Sequence, residues 1–434
     1  MKRLIAVLAA LVLFGSLSGC SGSFIQGDGI LVPPTLTKQQ NAIYQALIKQ
    51  TGKDILLCYP QNGSYRSAFV IRNLDEEPSE EAIVFYQMSL QANRSTQLRV
   101  NILDQTADGK WVSACDLSGG GSAIDRIDFG NFSGESFDHL VVGYQNETPG
   151  ERELIAYRYQ DGMLSEEFSR PYEIFSALPF SDTLPDGLFV VGREEEEPSS
   201  AELLLWQDGG FRVTDRIPLR EEVDGYPAMN IGKLSSRQTA LFLDGTIGET
   251  FMTQVIVIEN EVLGKLSRVS DSVLERSGRT QEVFCEDMNG DGVFEVPVAY
   301  PIPGSEAQYY IDWMSCSTAG LTVQATTFVD AASGYYLQVP EAWKNDVSVE
   351  LIPDQDEVRF YQTDGENEEE LLRLRTTQRT ETEQNALGQG YIKLMSVGQV
   401  SYLARINMES ESDYRFGKDE LIRRFSTLLG YGGK

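Results

Sequence analysis

The sequence predicts a mainly β chain: a β-propeller of about five four-stranded blades, followed by a small α+β domain. Three observations predict it. An acidic or Asn-rich turn running straight into an apolar strand recurs between residues 55 and 330. The copies are followed by hairpin patterns, three of them turning at Asp-Gly between apolar runs, the strongest short-range hairpin signal. Composition then shifts after Asp330. Four-stranded repeats with a period of roughly fifty to sixty residues read as propeller blades. A stacked array of β-sandwiches is the other architecture this pattern allows.

The chain begins with Lys2 and Arg3, then an almost wholly apolar run from Leu4 to Leu17. That run is short for a membrane span and reads as the core of a signal peptide. It ends in Leu17-Ser18-Gly19-Cys20, small residues before a cysteine whose thiol can carry a lipid. This segment, residues 1–20, resembles the signal peptide and lipobox of bacterial lipoproteins. The resemblance implies that Cys20 becomes the mature N-terminus, bears a covalent diacylglycerol and anchors a soluble extracytoplasmic chain to the cell membrane. A Gram-positive envelope is the expected setting. Residues 21–37 contain Ser, Gly and Pro33-Pro34 and read as a tether. Its last residue, Thr37, caps a helix over Lys38 to Gln50, stopped by Gly52, with Ile43 and Leu47 on one face.

Residues 38–330 hold that helix and the repeat. Asp287-Met-Asn-Gly-Asp-Gly-Val-Phe-Glu295 runs into Val296 to Tyr300. Asn73 to Glu81 runs into Ala82 to Tyr86, and Asn131 to His139 into Leu140 to Tyr144, aligned without a gap. Weaker copies lie at Asp182 to Val191 and Gly232 to Leu243. Short strands precede the copies at Ser67 to Ile71, Ala123 to Phe129 and Glu282 to Cys285. Hairpins follow around Asp108-Gly109, Asp161-Gly162 and Asp208-Gly209-Gly210. A strand from Ile55 to Tyr59 could close the ring within a further, degenerate blade.

The repeat resembles the FG-GAP or VCBS-type repeats of integrin-like propellers. Asp287, Asn289 and Asp291 alternate, Gly292 permits a sharp bend, the Val293 carbonyl follows, and Glu295 closes the set. Alternate residues in a tight loop point inward, and calcium takes six to eight hard oxygens. The expectation is one structural calcium site there. The first copy keeps Asn73, Asp75, Glu77 and Glu81 but has Pro78 in place of the glycine, a second site at best. His139 stands at the Glu295 position in the next copy.

Residues 331–434 read as the small α+β domain. Strands are expected at Gly334 to Val339, Val347 to Ile352, Glu357 to Tyr361, Leu371 to Thr376 and Val400 to Ile406. An amphipathic helix is expected over Asp419 to Leu429. The opening Gly-Tyr-x-Leu-x-Val-Pro-x-x-Trp343 resembles the start of PsbP/Mog1-like domains, which implies a binding or assembly module. Tyr336 and Trp343 are either contact residues or core anchors.

Composition excludes several functions. There are 36 Lys and Arg against 65 Asp and Glu, a formal charge of −29. Phosphate backbones need a basic surface, so no nucleic acid is expected. The single histidine, His139, rules out multi-histidine metal sites, and no G-x-S-x-G elbow or P-loop is present. It reads as a surface or edge residue. Cys58, Cys115, Cys285 and Cys316 sit in apolar runs and serve either as disulfides or as small buried hydrophobes. No catalytic residue stands out. The functional expectation is a non-catalytic binding or scaffold protein whose calcium-stabilised propeller presents a rim to a protein or cell-envelope polymer. The alternative is a propeller-type glycoside hydrolase using paired acids. The acidic runs Glu194 to Glu197 and Glu366 to Glu370 read as solvated loops.

Overall fold

The structure, a computed structural model, describes residues 36–428 apart from 89–96, 181–183, 193–197, 236–237, 259–265, 270–273, 306–307, 318–319 and 365–366. The signal peptide, Cys20, most of the tether and Glu194 to Glu197 lie outside the described residues. No described helix is long and apolar enough to cross a membrane.

Helix α1 (Lys38–Thr51) starts with a capping box. Gln40 N–H donates to Thr37 Oγ1 at 3.1 Å, and Thr37 N–H donates to Gln40 Oε1 at 3.0 Å. Gly52, at φ +85°, ends it.

The described fold is mainly β and antiparallel. The first sheet holds β1 (Ile55–Leu57), β2 (Phe69–Arg72), β3 (Glu81–Met88), β4 (Leu98–Gln105) and β5 (Trp111–Ser118). The second is the meander β6 (Ala123–Gly130), β7 (His139–Gln145), β8 (Arg152–Gln160) and β9 (Met163–Pro171). The third is β10 (Ile174–Leu178), β11 (Gly187–Gly192), β12 (Ser200–Gln207) and β13 (Gly210–Pro218). The fourth is β14 (Gly225–Ser235), β15 (Gln238–Ile247), β16 (Thr250–Ile258) and β17 (Leu266–Arg268). The fifth begins with β18 (Glu295–Pro301), β19 (Tyr309–Ser317), β20 (Gly320–Asp330) and β21 (Tyr335–Val339).

The sheets stack face to face, and the period of two along each strand shows how. In β3, Ile83 and Phe85 join a core shared with Leu140, Val142 and Tyr144 of β7, while Ala82, Val84 and Tyr86 pack under α1 with Ile43 and Leu47. Val141 of β7 then meets Leu188 and Val190 of β11. Phe189 and Val191 meet Leu241 and Leu243 of β15, and Ala240 and Phe242 meet Val296 of β18. Strands buried on both faces need continuous apolar runs, which these are. Among the described residues no buried apolar cluster joins the fifth sheet to the first. Helix α1 covers the outer face of the first, and Val283 and Leu428 lie on the outer face of the fifth.

The last region contains α2 (Trp343–Asp346), β22 (Val347–Ile352), β23 (Glu357–Asp364), β24 (Asn367–Thr377), α3 (Thr380–Gly388), β25 (Ile392–Val397), β26 (Val400–Ile406), α4 (Lys418–Arg424) and β27 (Phe425–Thr427). Its five-stranded sheet runs β22-β23-β24-β26-β25. Trp343 is fully buried, stacked on Phe416 with centroids 4.8 Å apart, so it is a core anchor.

Several expectations need correcting. The strand at Ile55 to Leu57 closes no further blade: it pairs with β3 through Ile55↔Met88, beside β2 on the same edge. The strand expected to open the last domain, β21, is instead the fourth strand of the fifth sheet (Val329↔Tyr336). The expected helix over Asp419 to Leu429 stops at Arg424. Phe425 to Thr427 extends and pairs with β21, because Phe425 fills a pocket against Tyr335 in stacked geometry. Glu282 to Cys285 is not a regular strand; one bridge, Glu286↔Glu295, takes its place. All four described cysteines are unpaired, Cys285 and Cys316 buried.

Candidate functional site

The acidic hairpins sit at one end of the inner strands. In the fifth sheet, Asp287 Oδ1 accepts the amides of Gly290 (2.7 Å) and Asp291 (3.1 Å), and its Oδ2 accepts that of Gly292 (2.8 Å). Asn289 Oδ1 accepts the Asp291 amide, and Asp291 Oδ1 accepts the Val293 amide at 2.7 Å. Gly290 and Gly292 take φ of +76° and +82°, which side-chain-bearing residues rarely adopt. Glu295 is 1% exposed and its Oε2 accepts the Met288 amide at 3.0 Å. Burial, aided by Asp287 and Asp291, pushes Glu295 up to about 7; burial does the same to Glu286. The structure thus brings Asp287, Asn289, Asp291, Val293 and Glu295 into one loop. Calcium takes hard oxygens of this kind, and these are the residues that would hold an ion there, but the carboxylate oxygens of Asp287, Asp291 and Glu295 do not all lie within 4.8 Å of one another. In the structure their oxygens are turned onto the loop's own amides.

The same strand position differs from sheet to sheet. Glu81 lies opposite Arg72, His139 opposite Gly130, Gly187 opposite Leu178, and Glu295 opposite Glu286. His139 is neither a surface nor an edge residue. It is fully buried, ringed by Phe132, Phe137, Trp206 and Phe211, and neither ring nitrogen has a hydrogen-bond partner. Burial, then the Arg158 charge, lowers its pKa to about 4, while the Gly130 backbone acts in the opposite direction. The ring therefore packs as a neutral aromatic among aromatics.

A cleft of about 1380 Å³ is reached by the second, third and fourth sheets. Arg126, Arg152 and Arg170 line it together with Tyr172, Phe211 and Tyr226. Glu151, Glu153, Glu173 and Asp224 line it as well. Its floor is built on Asp125, which is fully buried. Asp125 accepts from Asn62 Nδ2 at 2.7 Å and from Tyr172 Oη at 2.7 Å, and lies 3.3 Å from Arg126 Nε. Burial pushes its pKa up, but Arg126, Tyr172 and Asn62 together hold it below the usual range. Gly143 makes room for this: a Cβ there would sit 2.1 Å from Tyr172 Oη. Arg152 donates to the Glu173 carbonyl at 3.0 Å, which takes one of five guanidinium donors. Arg170 pairs with buried Glu202. Sequence reasoning missed this cleft, because Asn62, Arg126, Arg152, Tyr172 and Asp224 lie far apart in sequence, on and between successive sheets, and share no spacing.

Neither a protein family nor a curated relative matches the chain. Among solved structures it is similar to a Bacteroides uniformis protein described as a 6-phosphogluconolactonase, at 9% identity over 73% of this chain and 95% of that one, with a TM-score of 0.35. It is also similar to the exotype rhamnogalacturonan lyase YesX (8% identity, 73% of each chain, TM-score 0.33). A third is an exo-β-1,3-galactanase from Phanerochaete chrysosporium (8% identity, 71% of this chain and 81% of that one, TM-score 0.29). Similarity at this level carries no residue across.

Proposed function

We propose that this chain is a lipid-anchored extracytoplasmic binding or scaffold protein, held to the membrane through Cys20. In this reading its five serial sheets act as propeller-type blades, stiffened by calcium at the Asp287 to Glu295 loop. The cleft takes an anionic segment of a cell-envelope polymer. One observation carries the proposal: Arg126, Arg152 and Arg170 are gathered on one cleft of a chain whose formal charge is −29. A chain this acidic repels anions at long range. Clustered guanidiniums beside aromatic faces give it a place to accept carboxylate or phosphate groups, since arginine recognises both in a fork geometry.

The test is co-sedimentation with Gram-positive envelope fragments, either intact or stripped of their anionic polymers. Intact fragments should retain the parent chain and stripped ones should not. Arg152→Gln should weaken retention at least about tenfold, the equivalent of a lost charge-assisted hydrogen bond. Equal retention of parent and variant, or of intact and stripped fragments, would refute the reading. A second reading, a glycoside hydrolase, is favoured by the carboxylates Glu151, Glu153, Glu173 and Asp224 on the same cleft. Release of new reducing ends from the polymer would replace the binding reading with that one.

A further inference from the structure

The first acidic hairpin differs from the fifth in what closes it. Asp75 in the β2–β3 turn, Glu81 at the start of β3 and Asp104 near the end of β4 each offer an oxygen, and the three lie within 4.8 Å of one another. Among the described residues this is the only such group of three or more His, Cys, Asp or Glu side chains. Two oxygens each about 2.4 Å from a shared calcium are at most about 4.8 Å apart, so the spacing is that of one coordination sphere. Backbone amides fix one oxygen of each carboxylate: Glu77 N–H on Asp75 Oδ1, Leu74 N–H on Glu81 Oε2, Gln105 N–H on Asp104 Oδ1. A second oxygen remains on each.

Two buried groups at this place have no partner. Glu81 is fully buried, and its Oε1 has no hydrogen bond. Tyr159, at the end of β8 in the second sheet, is 2% exposed, and its hydroxyl also has none. Burial, and then the charges of Asp104, Glu81 and Asp75, raise the pKa of that hydroxyl. Buried polar atoms are normally satisfied, so two orphans, one on a converging acid and one on Tyr159, point to something that binds there.

The neighbouring repeat supports this. Leu103 pairs with Ala82 as Tyr157 pairs with Leu140, so Arg158 holds the strand position of Asp104. Arg158 reaches Glu135 in its own hairpin turn at 3.0 Å. In the second sheet a fixed guanidinium supplies the positive charge, whereas the first sheet places a further carboxylate there.

We propose that Asp75, Glu81 and Asp104, facing Tyr159, form a divalent-cation site of calcium type that ties the first sheet to the second. This site does not depend on the Asp287 to Glu295 loop. It uses a strand residue, Asp104, that the turn pattern does not reach.

The test uses the full chain and three variants: Asp287→Asn/Asp291→Asn, the same with Asp104→Asn, and the same with Tyr159→Phe. The probes are calcium in thermal melting and terbium in luminescence excited through tyrosine. The loop-disabled chain should still melt several degrees higher in millimolar calcium than in EDTA. Adding Asp104→Asn should remove that rise and weaken terbium binding at least about tenfold. In EDTA it should melt no lower than its background, since a like charge has gone. Tyr159→Phe should keep the calcium rise and lose most sensitised emission. If the loop-disabled chain shows no rise, or Asp104→Asn leaves the rise intact, the site is refuted. If Asp104→Asn does not fold, Glu81→Gln serves the same comparison. The separate difference between parent and loop-disabled chain reports on the Asp287 to Glu295 loop alone.

Discussion

His139 gives a clean pH experiment because it is the only histidine in the chain. It is fully buried, with Trp206 at 5.0 Å and Phe137 at 5.6 Å between ring centroids. Burial and Arg158 depress its pKa from 6.5 to about 4. The unfolded chain therefore takes up a proton as pH falls through about 6.5, while the folded chain refuses it until about 4. More protons on the unfolded state mean that stability falls with pH across this window. At about 1.4 kcal/mol per pKa unit the whole loss is roughly 3 kcal/mol. His139→Phe replaces the ring with another that its aromatic neighbours accommodate and removes the proton site. Urea unfolding, followed by tryptophan fluorescence, would be measured for both chains at pH 7.5, 6, 5 and 4. The difference at pH 7.5 sets the packing offset. From there to pH 4 the parent should lose about 3 kcal/mol relative to the variant. Glu81, Glu286 and Glu295 titrate in both chains and cancel in the difference. Parallel curves would refute the claim that the ring is buried and neutral, as would a parent that gains on the variant at low pH.

Two further predictions concern buried charge. Tyr172→Phe removes a hydrogen bond to the buried Asp125 carboxylate and should lower stability by about 1.5–3 kcal/mol at pH 7 in chemical denaturation. The difference should shrink as pH falls through Asp125's depressed pKa, and a loss under about 0.5 kcal/mol would contradict the described floor of the cleft. Arg279 and Asp244 form a fully buried pair at 2.8 Å, with Asp244 Oδ2 also accepting the Cys285 amide at 2.9 Å. Arg279→Met should destabilise by about 3–5 kcal/mol because it strands Asp244, and Asp244→Leu/Arg279→Met should recover only part of that, because the Cys285 amide then loses its acceptor; thermal melts of single and double variants decide it.

Local features were legible in the sequence. Asp161-Gly162 and Asp208-Gly209 form hairpin turns with positive φ at both residues, as Asp-Gly between apolar runs requires. Thr37, Gln40 and Gly52 bound α1 because capping is local chemistry. The apolar runs Ala82 to Tyr86 and Leu140 to Tyr144 fall within β3 and β7, as expected of strands following the turns; that both their faces are buried is seen only in the structure. What escaped was set by partners distant in sequence. Phe425 satisfies a helical spacing on paper, yet β21 offers its edge and Tyr335 its ring. Asp104 is an ordinary strand-end acid until β3 and its turn bring Asp75 and Glu81 against it. Bulges at Ile102/Leu103, Ala156/Tyr157, Leu203/Leu204 and Trp313/Met314 recur at one place in four sheets with no shared residue to mark them. A bulge depends on twist and packing, so it leaves a weak trace in composition.

The position shared by Glu81, His139, Gly187 and Glu295 shows how the repeat tolerates changed chemistry. Glu81 and Glu295 each accept an amide seven residues back, from Leu74 and Met288. His139 fills the same place with a neutral ring among aromatics. Gly187 leaves it to Phe180, whose ring would lie 2.9 Å from a Cβ at that glycine. The hairpin therefore needs the space filled, not a carboxylate. Closing the turn with a glycine and a phenylalanine costs no desolvated charge, whereas burying Glu81 and Glu295 does. Two of the described sheets carry that cost at the one position where the others avoid it. Each carboxylate offsets part of that cost by accepting a turn amide, and the cation site proposed at Asp75, Glu81 and Asp104 would offset more of it in the first sheet.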